Sequence, residues 1–444
     1  MNAGPADDEP SCSAQAPVHP DKRLRILLSA YACEPDRGSE PGVGWHWMRA
    51  LLQQGHELVV LTRANNQERI EQACARQGLP LGERLHFLYH DLAPWVLRLK
   101  KRGLIGTQMY YAAWQRGTLA IARQAHQRHA FDLCHHLTFG VWRQPSPLHR
   151  LGVPFMFGPV GGGEEPPWSL VPSLGRRDRL HEHARHWLNR VATWSPDVQQ
   201  CLRDSARVLA KTPQTAAWIA RAGGQADNLL EIGIDSAVAV QRPRAPGPQG
   251  ASLRCLYAGR LIGLKGVHLA IQACEQAVRA GTDVHFTIVG KGPEKPRLER
   301  LAASSALAGR IRWVDWLDRE SLFREYAAHD VLLFPSLHDS SGNVVLESFS
   351  LGLPVVCLDL GGPGVMVDGS NGMAIPAPEG TREEDAARGL AQALQRLAAD
   401  PLLLERLAEG ALATARSMSW QAMVAQAYAP LIAALPTPLS AHRA

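Results

Sequence analysis

The chain has 444 residues, 45% hydrophobic and 20% charged, the composition of a globular protein too long for a single core. Two domains of roughly 200 residues each are expected. A formal charge of +5 is too modest at this length to argue for nucleic acid, while it tolerates anionic substrates or lipid head groups.

Residues 1–20 carry acids, prolines and serines with no apolar stretch, and read as a disordered tail rather than a signal peptide. A first strand, Leu24–Ala30, opens onto a loop holding Gly42 and Gly44, then a helix to about Gln54 and a second strand, Leu58–Thr62. That order begins a Rossmann-like unit, and glycine where loop meets helix lets backbone approach a phosphate with no Cβ in the way. Turn geometry alone is the alternative to donor binding by Gly42 and Gly44. Residues 93–105 interleave Arg98, Lys100, Lys101 and Arg102 with Trp95, Leu97, Leu99 and Ile105. Such a segment is either a peripheral contact with an anionic membrane or a solvated loop with one buried face. A long helix bearing Tyr110, Tyr111 and Trp114 follows.

Phe131–Thr138 reads as a strand ending in His135 and His136. Neighbours on a strand point to opposite faces. His136 is the candidate to face a cleft and orient a sugar, and a packed core histidine is the alternative. After the strand from Val153 come Gly161, Gly162 and Gly163 in a row, which implies close approach of a ligand or of the opposing domain. His181, His183 and His186 do not share one helical face, so a metal site there is not expected.

Arg242–Ala251, dense in proline and glycine, sustains neither helix nor strand. It divides the chain into a first domain over 21–240, a linker over 241–251 and a second domain over 252–418, with a terminal helix over 419–436. The second domain restarts with the strand Leu253–Ala258 and a glycine-bearing loop in which Arg260 and Lys265 flank a helix start. Two cations there suit a leaving diphosphate. Further on, Val331–Phe334 is a buried strand, His338–Asn343 a loop, Val344–Leu351 a helix and Pro354–Leu358 another strand. Gly342, Asn343 and Val344 offer backbone N–H groups to an anion. Glu347 can accept both hydroxyls of a ribose, and Asp339 those of a sugar. The eight cysteines stand singly, without a C-x-x-C pair, as reduced buried thiols of a cytoplasmic protein would. No apolar run reaches the ~18–20 residues of a membrane span.

Asp339-x7-Glu347, set between Phe334-Pro-Ser and Gly352-Leu-Pro-Val-Val, resembles the E-x7-E signature of retaining family-four glycosyltransferases, with Asp at the first acid. The loop from Gly259-Arg-Leu to Lys265-Gly resembles that family's phosphate-binding loop, and the SEPGVGW and GPVGGGE segments are similar to stretches of the same branch. The histidine strand departs from the family's D-x-x-H-x-H pattern, because Leu137 stands where the second histidine would fall. The resemblance implies the GT-B architecture: α/β, two Rossmann-like domains facing across a cleft, with the last helix crossing back to the first.

It also implies hexosyl transfer, with retention, from a nucleotide-diphosphate sugar to a saccharide or lipid-linked saccharide in cell-surface polysaccharide or glycolipid assembly. The donor is a co-substrate; no cofactor and no metal is expected. Glu347 would hold the ribose, Arg260 and Lys265 the diphosphate, Asp339 the sugar, and His136 would assist by orientation. The expected location is cytoplasmic, peripheral on the inner face of the membrane. A GT-B-shaped nucleotide-sugar epimerase, a sugar phosphorylase or sucrose-type synthase, and a non-catalytic nucleotide-sugar-binding subunit are the alternatives.

Overall fold

A computed structural model describes residues 22–235 and 252–435. The expected tail over 1–20 and linker over 241–251 lie outside the described residues. In chain order the first strands are β1 Arg25–Ser29, β2 Glu57–Thr62, β3 Leu85–Tyr89, β4 Leu133–His136, β5 Phe155–Val160, β6 Arg207–Ala210 and β7 Asp227–Asn228. Among the described residues they form one seven-stranded sheet in the order β3-β2-β1-β4-β5-β6-β7. The second set is β8 Leu253–Ala258, β9 Val284–Val289, β10 Ile311–Val314, β11 Val331–Phe334, β12 Val355–Leu358 and β13 Gly372–Ile375, ordered β10-β9-β8-β11-β12-β13. Every pairing is parallel.

The central strands are buried along their length because helices cover both faces, which is why they read as continuous apolar runs. Helices start where a side chain can take up a free N–H: Thr212 caps 213–221, Asp318 caps 319–328 and Asp400 caps 401–417. Pro213 and Pro401 follow two of those caps, where a missing N–H costs nothing. Of the four edge strands among the described residues, β3 and β13 are only half buried and have no counterpart in the sequence reading. The segment 229–235 is not a strand; the short edge strand β7 precedes it.

Both sheets reverse their winding beside their first strand, between β1 and β4 and between β8 and β11. Such switch points leave a crevice at the carboxyl ends of the strands. The helix Trp420–Ala434 packs on the helix Ser39–Gln53 of the first domain, burying Trp420, Val424 and Tyr428 in that domain's core. Beside it, Ile234 and Ser419 form a short parallel bridge, with Ile234 N–H donating to Met418 O at 3.0 Å and Trp420 N–H to Ile234 O at 3.3 Å. The chain passes between domains at both of these points.

Candidate active site

The loop after β11 is built around Asp339. Its Oδ1 accepts the N–H groups of Ser341 (3.1 Å) and Gly342 (2.9 Å), and its Oδ2 accepts Lys265 Nζ at 2.6 Å. Burial pulls this carboxyl up, and Lys265 with the two backbone donors outweighs burial, so it lies below the ordinary value. A carboxylate has about four lone-pair sites. With three in use, Asp339 has room for roughly one sugar hydroxyl. Gly342 N–H is therefore spent on Asp339 and does not face an anion; the N–H groups of Asn343 and Val344 have no acceptor among the described residues.

Lys265 sits in a turn pressed against the end of β11. Gly266 has φ +65°, and a Cβ there would lie 2.0 Å from Pro335 O. That contact fixes Lys265 over the Phe334 ring and beside His338 O, 3.2 Å from Nζ. Arg260, on the same loop, is exposed; Tyr257 Oη donates to its carbonyl at 2.9 Å, and its guanidinium has no partner among the described residues.

Glu347 lies one turn into the helix Asn343–Phe349. Tyr326 Oη donates to its Oε2 at 3.3 Å, and Oε1 has no partner among the described residues. Burial raises its carboxyl, with Arg319 partly offsetting this. Glu347, Arg319 and Asn343 form one wall of a cleft whose other wall is Gly42, His46 and Trp420. His46 and Trp420 stack there with ring centroids 4.6 Å apart.

The glycines of the first domain have local reasons. A Cβ on Gly42 would meet Arg37 O at 2.1 Å, and one on Gly44 would meet Ala32 O at 2.2 Å. Gly42 lines the cleft; Gly44 is buried against its own loop and does not. His136 corrects a second expectation. The strand's pleat turns it inward, where Nε2 and Tyr111 Oη share a hydrogen bond of 3.0 Å and Phe157 covers it, and no part of it reaches the cleft. Burial drops its pKa to about 3. His135 turns the other way, donating Nε2–H to Gly158 O (2.6 Å) and accepting the Tyr428 hydroxyl (2.7 Å). Both are packed core histidines.

Sequence reasoning missed the charged group that lines the first domain's side. Lys211 Nζ pairs with Glu231 Oε1 at 2.6 Å, and the same oxygen accepts Ser341 Oγ from the second domain at 2.5 Å. Burial works against the Lys211 ammonium, but Glu231, Glu40 and Glu164 outweigh it and hold its pKa above the ordinary value. Glu40 accepts Phe139 N–H at 2.5 Å, and burial raises its carboxyl. The glycine triplet serves this closure: a Cβ on Gly161 would touch Lys211 and, across the cleft, Ser340 Cβ at 3.3 Å. Glu164 accepts the hydroxyls of Thr212 (2.9 Å) and Thr215 (2.8 Å) and the N–H of Gly162 (2.8 Å). The available signal was a charged residue placed just after an apolar strand, as Lys211 follows β6.

Comparison with known proteins fits this geometry. Residues 252–400, which hold Arg260, Lys265, Asp339 and Glu347, match the family described as glycosyl transferases group 1. Over nearly its whole length the chain shares the fold of sucrose-phosphate synthase from Thermosynechococcus elongatus (TM-score 0.61, 19% identity, 93% of this chain and 100% of that one). The chain has the GT-B architecture, and its second domain matches the glycosyl transferases group 1 family.

The chain is similar to the lipopolysaccharide core biosynthesis glycosyltransferase LpsE of Rhizobium meliloti (strain 1021), 33% identical over 205 residues, covering 46% of this chain and 56% of LpsE. The chain spans about half the length of the curated relatives it matches. A further GT-B structure, Anabaena HepE in complex with UDP and glucose, aligns with TM-score 0.57 at 16% identity, over 93% of this chain and 100% of HepE.

Proposed function

We propose that this protein is a retaining, metal-independent hexosyltransferase. It moves a sugar from a nucleotide-diphosphate donor to a saccharide or lipid-linked saccharide in cell-surface polysaccharide or glycolipid assembly, at the cytoplasmic face of a membrane. The observation that carries this reading is Lys265 bound to Asp339 across two adjacent strand ends, with Glu347 on the helix that follows and lining a cleft walled by the other domain. That a homologue assembles lipopolysaccharide core, and that a protein of the same fold binds UDP and glucose, supports the substrate class.

In this reading Glu347 takes the ribose diol through its unpartnered Oε1, and the free N–H groups of Asn343 and Val344 take the pyrophosphate. Arg260 and Lys265 supply the positive charge, so no metal is invoked. When the bond between C1 and the phosphate oxygen breaks, negative charge grows on the diphosphate, and these preset donors stabilise it without reorganising. The acceptor hydroxyl forms the new bond to C1 from the same face, and its proton passes to the leaving phosphate oxygen. Asp339 positions the sugar with its remaining lone pair. The buried first-domain acids, Glu40 and Glu231, set the field around the sugar ring.

The test is calorimetric titration of the purified chain with uridine- and guanosine-diphosphate sugars, followed by nuclear magnetic resonance of the product's anomeric signal. One donor class should bind, and Glu347→Ala should weaken it by about tenfold or more, the worth of a charge-assisted hydrogen bond. An inverted product would end the retaining assignment. Failure of every nucleotide sugar to bind would end the whole reading.

A further inference from the structure

The helix over Arg176–Ala192 is inside out for a globular protein. An amphipathic helix ordinarily turns its apolar stripe to the core and its polar stripe to water. Here Glu182, Arg185, His186 and Asn189, spaced i, i+3, i+4 and i+7, face inward. Arg185 Nη1 donates to Glu182 at 2.6 Å and to His338 Nδ1 of the second domain at 2.9 Å; His186 Nδ1 and Glu165 lie 3.0 Å apart; Asn189 Oδ1 accepts Arg143 at 2.9 Å and Trp142 Nε1 at 3.2 Å. The outward stripe is apolar and continues past the helix end: Leu180 is 69% exposed, Trp187 63%, Leu188 57%, Val191 53% and Trp194 70%.

A second exposed set, Trp95, Leu104 and Met109, lies on the neighbouring segment. Gln144 bonds Gln108 at 3.2 Å while the adjacent Arg143 bonds Asn189, which places the two segments next to each other. The charges there have one sign. Arg176, Arg177, Arg190, Lys101 and Arg102 are exposed around the apolar groups. The stretch 93–116 holds no acid, and the two acids of 176–194 point inward, Glu182 to Arg185 and Asp178 to the Gly263 turn. Apolar side chains with indole rings, ringed by arginine and lysine without acids, match the chemistry of an anionic lipid surface, which offers acyl chains, an interfacial layer for tryptophan and negative head groups.

We propose that the helix over 176–192, with Trp194 and the 95–109 segment, is the surface by which the first domain lies on an anionic bilayer, and that the acceptor reaches the cleft from that bilayer. This deepens the reading above and rests on it only for the second clause. The inward face of the same helix touches His338, next to Asp339 and Lys265. Lipid surface and reacting loop are then separated by about one helix diameter, roughly 10 Å. An acceptor whose saccharide is joined directly to a lipid anchor fits that reach.

The experiment is flotation of the full chain with vesicles of phosphatidylcholine alone and of phosphatidylcholine with phosphatidylglycerol. We expect binding to the anionic vesicles only, weakened by 0.5 M salt as an order-of-magnitude screening condition. The triple variant Trp187→Ser, Leu188→Ser, Trp194→Ser and, separately, Arg176→Glu, Arg177→Glu, Arg190→Glu should each lose at least about tenfold in partitioning. Quenching of tryptophan fluorescence by brominated lipid should occur in the wild type and vanish in the first variant. Because none of these side chains faces the cleft, nucleotide-sugar binding by both variants should equal that of the wild type, which separates failure of this surface from failure of the functional assignment. No binding to anionic vesicles, or variants that bind as well as the wild type, would overturn the proposal. So would a dimer, seen by ultracentrifugation, that the triple variant abolishes while the wild type ignores vesicles.

Discussion

Asp339 and Glu347 stand on one loop and helix yet have different amounts of bonding capacity left, and their substitutions should separate accordingly. Asp339→Ala removes the acceptor for two loop N–H groups and the counter-charge of Lys265. We expect a loss of roughly 2 kcal/mol, since each buried donor left unsatisfied costs about 1–3 kcal/mol, visible as a lower melting temperature even without ligand. Glu347→Ala frees only one hydroxyl, so its melting temperature should hold while donor affinity falls. Acid should also act through histidine. Burial lowers His56, His135 and His338 to about 4 and His136 to about 3, from 6.5. The unfolded chain then takes up more protons than the fold below pH 6.5, so stability is full above that value and declines as pH falls toward 4. Each group contributes up to roughly 1.4 kcal/mol per pH unit across that window. Urea midpoints measured from pH 7 to 4.5 should fall, and a flat profile would contradict the burial of these rings. Glu347 was legible because its strand, loop and helix are all local in sequence. The orientation of His136 was not, because which face of β4 meets the cleft depends on helices 107–129 and 420–434 packing from either side.

At the scale of elements, the turn between β8 and the following helix carries the strongest local constraint. Gly266→Ala meets both a left-handed backbone and a carbonyl 2.0 Å away. The conformational term alone is about 1–2 kcal/mol, and the clash must move Lys265. Lower stability together with weaker donor binding is expected, whereas Gly281→Ala, at φ +91° with nothing within 4 Å, should lose stability and keep binding. The strands β8, β11 and β12 were legible nearly to the residue, since burial on both faces leaves an uninterrupted apolar run. Strands β3, β7 and β13 escaped because an edge pairs on one side only and its side chains are half wet, so the pattern fades. Of the triplet read as a close-approach signal, Gly161 meets Ser340 of the other domain, while Gly162 and Gly163 meet Val141, Arg143 and Thr215 of their own, and none of these partners is visible to local sequence.

At the scale of the molecule, the first domain's core is completed by residues near the far end of the chain. Trp420, Val424 and Tyr428 are buried there, and Tyr428 holds His135. Side chains of this size are each worth ~1.5–3 kcal/mol when buried, a large share of a typical stability of 5–15 kcal/mol. A chain ending at Ser417 should therefore fail to give a folded first domain, while Gln426→Ala, on an exposed face, should melt as the wild type does. Calorimetry of the two proteins checks this. The bond from Ser341 to Glu231 is the matching contact at the centre of the cleft, and neither partner's role could be read before the domains were set face to face.

The bridge between Ile234 and Ser419 has a mechanical meaning. Two passes of backbone tied side by side behave like the spine of a book: the halves can swing about it but slide little along it. Glu347 and the stacked pair His46 and Trp420 lie against that spine. Pages near a spine move least, so a nucleoside held there would stay gripped through a swing that parts the outer margin widely enough to admit one saccharide and release a longer one.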